Sequence, residues 1–124
     1  MGLDMYVKKV PKGKIKTPVD FKLPKSVVAE KVYYWRKHPN LHGWMEQLYL
    51  EKGGTDTDFN CSEVQLDEDD LDRLESDIKK GNLPETVGFF FGSSDGSEKD
   101  ADLDFIEEAR NALKTHDIYY TSWW

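Results

Sequence analysis

The sequence predicts one α+β domain in two layers, with a mixed or antiparallel sheet of about four or five strands and about three helices. Two observations support this prediction: short segments of strand-like pattern occur at both ends of the chain, and helix-like segments with apolar residues three and four apart lie between them. A third is the length, because 124 residues suffice for one core but not for two. Residues 1–124 are therefore expected to form a single domain.

The first strand and the segment after it have contrasting patterns. Leu3, Met5 and Val7 alternate with more polar neighbours, which predicts a strand over residues 2–9 with one buried face. Residues 11–26 are rich in proline and lysine, and proline cannot donate a ladder hydrogen bond. This segment should be a surface loop with room for a short edge strand.

The second strand leads into the first helix. Residues 31–36 are rich in β-branched and aromatic side chains and predict a strand, with a helix as the competing interpretation. Pro39 disfavours the α conformation at His38, and Asn40 is a good N-cap for a helix over residues 41–51. The predicted buried face of this helix consists of Leu41, Trp44, Met45 and Leu48.

The second helix has the clearest local signals. After a short predicted strand at residues 59–64, Asp67 stands as N-cap before an acidic first turn, which the helix dipole favours. Lys79 and Lys80 suit the C-terminal end, and Gly81 should terminate the helix. Its predicted buried residues are Leu71, Leu74 and Ile78.

The last third of the chain predicts two strands and a helix. Residues 87–92 are apolar on both faces, which indicates a central strand. A polar loop follows at 93–99, and apolar residues at helical spacing predict a helix over 101–115. Residues 117–124 should form the last strand, with its two terminal tryptophans packed because exposed indoles would leave large apolar surfaces in water.

Charge and composition exclude several classes of protein. The net charge of −7 divides into +7 over residues 1–38 and −14 over residues 39–124. Nucleic acid repels an acidic protein unless a cationic patch faces it, and the lysines are scattered through strand and loop, so nucleic-acid binding is disfavoured. No apolar run approaches the roughly 20 residues of a membrane span. With one cysteine and no signal segment, we expect a cytoplasmic protein without membrane contact.

The stretch from residue 33 to residue 44 is the richest in binding chemistry. Arg36 can bind a phosphate or carboxylate through two parallel hydrogen bonds while neighbouring rings stack on a base or sugar. The helix N-terminus that follows would add backbone N–H groups that attract anions. We predict a non-enzymatic module that binds a small anionic or nucleotide-like ligand. The predicted ligand-binding residues are Tyr6, Tyr34, Trp35, Arg36, Lys37, Asn40, His42 and Tyr120.

A purely structural interpretation of the same stretch stays open. Asn40 would then only cap a helix, Trp44 would belong to the core, and Arg36 would pair with a carboxylate. His38 and His42 stand four apart, but Pro39 places the first of them outside the helix, so their spacing does not indicate a metal site. We predict no catalytic residue, no metal and no cofactor.

Two further functions remain as alternatives. Acidic residues 67–77 and 95–108 would suit an inhibitor or adaptor that contacts a basic host protein as a nucleic-acid mimic, although such charge commonly only keeps a protein soluble. The weaker alternative is a small enzyme that uses His42 or Cys61 as a reactive group.

Four blocks of the sequence resemble a family of small uncharacterised proteins of bacteriophages and some bacteria. The blocks are MGLDMY at residues 1–6, YWRKHPNLHGW at 34–44, GFFFG at 88–92 and IYYTSWW at 118–124. The resemblance extends over nearly the whole chain and implies a phage or prophage setting in the host cytosol. Roles such as countering host defence or redirecting host metabolism would fit it, but it implies no activity, cofactor or catalytic residue.

Overall fold

The computed structural model describes residues 2–86 and 98–124, and within them it confirms the predicted α+β fold. The strands form one antiparallel sheet in the order β2-β1-β4-β3. The strands are β1 (Asp4–Pro11), β2 (Glu30–Arg36), β3 (Glu63–Leu66) and β4 (His116–Trp123). The helices are α1 (Pro39–Glu51), α2 (Glu68–Lys80) and α3 (Lys99–Leu113). The strand predicted at 87–92 and most of the loop after it lie outside the described residues.

The two faces of the sheet follow from the alternation in β1. Leu3, Met5 and Val7 are fully buried and share one core cluster with the apolar residues of all three helices, so this is the inner face. The outer face carries Asp4 and Tyr6, whose cross-strand partners also lie on it. Those partners are Arg36 and Tyr34 on β2, and Trp123 and Thr121 on β4.

The proline-rich segment after β1 folds onto part of the outer face. Phe21 packs edge-to-face against Tyr119, with ring centroids 5.1 Å apart, in a small cluster that includes Val10. The segment also pairs with β3 near Val19, where Gln65 N donates to Pro18 O over 2.8 Å. The predicted loop therefore contains a short edge-strand contact and covers one end of the outer face.

The first helix begins earlier than its pattern suggested. Its N-cap is His38, and Pro39 occupies the first turn, where a missing N–H costs nothing because that group has no intrahelical partner. The prediction of Asn40 as N-cap was wrong, since its Oδ1 instead accepts a hydrogen bond from Thr86 N at 3.0 Å. The four predicted core residues of this helix are all buried.

The second helix follows its local signals closely. The side chain of Asp67 accepts from Asp70 N at 2.9 Å, and Asp70 Oδ2 accepts from Asp67 N at 2.9 Å, which forms a capping box. Gly81 ends the helix in the left-handed conformation, with a φ of 69°. Asp70 is itself buried and forms an ion pair with Lys52, which follows α1.

Two predictions about strand ends were wrong. Phe59 and Cys61 have φ values of 47° and 61°, so the backbone there cannot continue a strand, and β3 starts only at Glu63. The two terminal tryptophans also differ from each other. Trp124 is half-buried and donates from Nε1 to Phe59 O at 3.2 Å, whereas Trp123 lies on the outer face with 69% of its surface exposed.

None of the helices in residues 2–86 and 98–124 combines the length and the apolar character that crossing a membrane requires.

Candidate functional site

The sheet divides the predicted ligand-binding residues into two groups. Successive side chains of a strand point to opposite faces, so Tyr34 and Arg36 lie on the outer face while Trp35 between them points into the core. The first group, near the outer face, comprises Tyr6, Tyr34, Arg36 and Lys37; the second, in or against the core, comprises Trp35, Asn40, His42 and Tyr120.

The outer group is centred on a pair of tyrosine rings. Tyr6 and Tyr34 are direct cross-strand neighbours, with ring centroids 5.1 Å apart and ring planes inclined by 49°. Two lysines flank the pair: Lys8 Nζ lies 5.4 Å from the centroid of Tyr6, and Lys31 Nζ lies 5.9 Å from that of Tyr34. These distances are within the range of cation–π attraction, which keeps both ammonium groups beside the rings.

Asp4 organises the neighbouring end of the outer face. The Tyr34 hydroxyl donates to Asp4 Oδ1 over 2.6 Å, and Arg36 Nε lies 3.7 Å from the same oxygen. The bond to Asp4 raises the pKa of Tyr34 above its usual value, so this phenol is protonated at neutral pH. The Arg36 side chain remains 55% exposed. An exposed pair of this kind contributes little to stability, so the guanidinium can turn to another anion at small cost.

Gly2 supports the two cations at the end of β2. A Cβ placed on Gly2 would lie 3.0 Å from Arg36 Nη2 and 3.3 Å from Lys37 Cε, so both side chains pass closely over this glycine. Lys37 itself has a φ of 57°, and its N–H donates to Leu3 O over 2.8 Å. The chain therefore turns into α1 immediately after the outer-face residues and places Lys37 beside Arg36.

Trp35 is held inside the protein by a buried carboxylate. Its Nε1 donates to Asp102 Oδ1 over 3.0 Å, and His38 Nε2 lies 2.8 Å from Asp102 Oδ2. All three residues are less than one-tenth exposed. This network connects β2, the start of α1 and α3, and it directs the indole of Trp35 away from the surface that carries Tyr34.

His42 and Tyr120 contact each other, but in the core. His42 Nδ1 and the Tyr120 hydroxyl are joined by a hydrogen bond of 2.7 Å, and the His42 ring packs 4.9 Å from that of Phe59. Burial lowers the pKa of His42 to about 4 and raises that of Tyr120 well above its usual value. The imidazole is therefore neutral at pH 7 and does not supply a surface cation.

Asn40 takes part in helix packing. Besides its bond to Thr86, it stands close to Gly43, where an added Cβ would lie only 1.9 Å from Thr86 Oγ1. Residues at the start of α1 are thus pressed against the segment that follows α2. The structure does not bring Asn40 to the tyrosine pair.

The two reactive groups of the enzyme alternative differ in their exposure to solvent. His42 is buried, whereas Cys61 is exposed, with its Sγ 3.6 Å from Asn60 Oδ1. A lone cysteine is commonly a small buried residue, but Cys61 has a left-handed backbone, with a φ of 61°, and its side chain is exposed. Within the described part of the chain, no group of three or more histidine, cysteine or acidic residues is arranged to hold a metal ion.

The sequence interpretation missed the two lysines beside the rings. Lys8 follows the same alternation as Asp4 and Tyr6, so its position could have been predicted. Lys31 could not, because strict alternation from Tyr34 would place it on the inner face. The pairing of β1 with β2 shifts between Val7 and Lys8, which brings Lys31 opposite Lys8.

No family model matches this chain, and neither the comparison with curated proteins nor that with solved structures found a match.

Proposed function

We propose that this protein is a non-enzymatic module that binds a small anionic ligand with a planar ring, of the nucleotide type, on the outer face of its sheet. The observation that supports this proposal is the Tyr6–Tyr34 pair, with its centroids 5.1 Å apart and the cations of Lys8, Lys31 and Arg36 around it. Rings and cations of this kind recognise the two parts of a nucleotide.

Each part of the site has a distinct role in the proposed complex. A base or similar ring stacks on Tyr34, which is 40% exposed, and aromatic stacking of a base contributes about 1–3 kcal/mol. The phosphate exchanges with Asp4 at the Arg36 guanidinium, where a charge-assisted hydrogen bond contributes about 1.5–3 kcal/mol. Asp4 keeps its bond to the Tyr34 hydroxyl and so holds that ring in place.

Calorimetric titration with a nucleoside monophosphate and with the matching nucleoside tests the two roles separately. Tyr34→Ala should weaken binding of both compounds, because both contain the stacking ring. Arg36→Ala should weaken binding of the monophosphate and leave that of the nucleoside nearly unchanged. The matched control is Arg73→Ala, which removes an arginine of similar exposure that pairs with Glu51 on the helical side.

Two results would overturn the proposal. Wild-type protein that binds neither compound would exclude a nucleotide-type ligand. Binding that survives both outer-face substitutions, while the variants retain the circular dichroism of the wild type, would place the ligand elsewhere.

We further propose a cytosolic setting for this activity, in a host cell if the protein is encoded by a phage. The support is the resemblance of four blocks of the sequence to small phage proteins. Fractionation of cells that express the tagged protein tests this setting, and recovery in the membrane or periplasmic fraction would contradict it.

An acidic inhibitor or adaptor is the second candidate function. A groove of about 1120 Å³ between α2 and α3 is lined by five carboxylates and two cations, and this acidic surplus favours contact with a basic protein. Part of this charge is already used, because Arg110 of α3 pairs with Asp72 at 2.6 Å and with Glu75 at 3.2 Å. The suitable test is therefore to reverse the charge of the exposed Asp69 and Glu107. A protein partner that is still recovered in a pull-down with both variants would argue against this function.

A further inference from the structure

We infer that the ligand of the outer face is a short segment of single-stranded nucleic acid rather than a lone nucleotide. This inference depends on the proposed function and extends it, because it uses two features of the same face that a mononucleotide would not need: the exposed indole of Trp123 and a groove beside Lys8.

Trp123 provides a second stacking surface on the outer face. It pairs with Asp4 across β1 and β4, so it is the diagonal neighbour of Tyr6, at a distance of about 7–8 Å for such positions. Trp123 is 69% exposed, so a large apolar ring lies in water and is accessible for stacking. Tyr34, Tyr6 and Trp123 thus offer rings on three adjacent strands, β2, β1 and β4, and successive bases of a single strand stack on such platforms.

The groove extends this surface in the other direction along the strands. It has a volume of about 680 Å³ and lies between the segment after β1 and the outer face of β4. Lys8 lines the groove and also lies beside the Tyr6 ring, so the groove and the ring pair are continuous. Lys22 adds a second cation against the one carboxylate of Glu63, while Phe21 and Tyr119 supply apolar surface. A polynucleotide backbone would pass from Arg36 to Lys22 across the face.

The net negative charge of the protein does not exclude this ligand. The sequence suggested that the lysines were too scattered to form a cationic patch, but the fold brings Lys8, Lys22, Lys31 and Arg36 to one face. Most of the acidic surplus lies beyond residue 38, and the acidic helices pack against the opposite face of the sheet. Fields of exposed charges decay over about 8 Å at physiological ionic strength, so the outer face is largely shielded from them.

Fluorescence anisotropy with a labelled oligothymidine of about ten nucleotides tests the inference, since such a length fits one small single-strand-binding domain. Unlabelled oligothymidine, thymidine monophosphate and a duplex of the same length serve as competitors. The single strand should compete at least about tenfold better than the mononucleotide and better than the duplex, whose bases are not available for stacking. Affinity should fall with salt concentration, with a logarithmic slope of about −3 when four cations contact phosphates.

Three variants locate the single strand on the face. Trp123→Ala should reduce oligothymidine affinity about 5- to 150-fold and leave thymidine monophosphate binding unchanged. Lys22→Ala should make the salt slope shallower by about 0.7. Arg73→Ala, on the helical side, should change neither quantity.

The outcomes separate this inference from the proposed function. If the monophosphate binds and oligothymidine competes no better, the ligand is a small anion, and the inference fails while the proposed function stands. If neither binds, both fail. Oligothymidine affinity that is the same in the wild type and in Trp123→Ala would also overturn the inference, because the indole would then not contact the strand.

Discussion

Acid should destabilise this protein through His42, a histidine that the fold keeps neutral. Its side chain is 2% exposed, and burial lowers its pKa from about 6.5 to about 4. In the unfolded chain the imidazole regains water and binds a proton far more readily. Protonation therefore favours unfolding at any pH at which the unfolded chain is protonated and the folded protein is not.

The sign and size follow from the two pKa values. Because the folded pKa is the lower one, the stabilising contribution is present above about pH 6.5 and is lost as the pH falls from about 6.5 to about 4. One pKa unit corresponds to about 1.36 kcal/mol, so the full shift represents about 3 kcal/mol. Between about pH 7 and pH 4.5, the free energy of unfolding should fall by about 2 kcal/mol from this residue alone.

Urea denaturation, followed by tryptophan fluorescence at several pH values, measures this contribution. His42→Gln removes the titrating group, so its stability should decrease less on acidification than that of the wild type, by about 2 kcal/mol over the same range. Because the carboxylates titrate in both proteins, their contribution to the pH dependence of stability cancels when the two are compared. Tyr120→Phe is the matched control, because it removes the hydrogen-bond partner and leaves the imidazole. Equal pH dependence in the wild type and in His42→Gln would show that the imidazole is not the group whose protonation destabilises the fold.

Three substitutions at defined contacts of the fold, and one control, give further predictions, each measured as a change in the free energy of unfolding. Asp102→Ala should cost about 2–5 kcal/mol, because Trp35 and His38 lose their shared acceptor. Asp104→Ala, on the exposed side of the same helix, should cost less than about 0.5 kcal/mol, and equal losses would contradict the buried network. Asp67→Ala should cost about 1 kcal/mol through loss of the α2 cap, and an unchanged stability would show that the cap is dispensable. Gly43→Ala should cost about 1–3 kcal/mol, because its new methyl group would overlap a neighbouring threonine side chain. A protein as stable as the wild type would show that this contact relaxes without strain.

Local signals in the sequence were sufficient to predict α2. Its N-cap and acidic first turn act within one end of the helix and its terminal glycine within the other, so no tertiary contact was needed to place either end. At α1 the same kind of reasoning failed by two residues. Asn40 is a good cap in isolation, but its side chain bonds to Thr86, which is distant in the sequence, and His38 occupies the cap position instead.

The composition of the site was only partly predictable. Successive side chains of a strand lie on opposite faces of the sheet, which was enough to predict that Tyr34 and Trp35 belong to different faces. The prediction of one site from the whole aromatic stretch did not use this alternation. The burial of His42 against Tyr120 depends on the packing of α1 on β4, which no local pattern records. Likewise, only the irregular pairing of β1 with β2 brings Lys31 to the rings.

The most direct test of the central claim is an NMR titration of isotope-labelled protein with thymidine monophosphate. If the outer face binds the ligand, the amide and side-chain signals of Tyr6, Tyr34, Arg36 and Lys31 should shift in proportion to occupancy. The buried imidazole of His42 should keep its resonance. Shifts concentrated on α2 and α3, with the outer-face signals unchanged, would contradict the account.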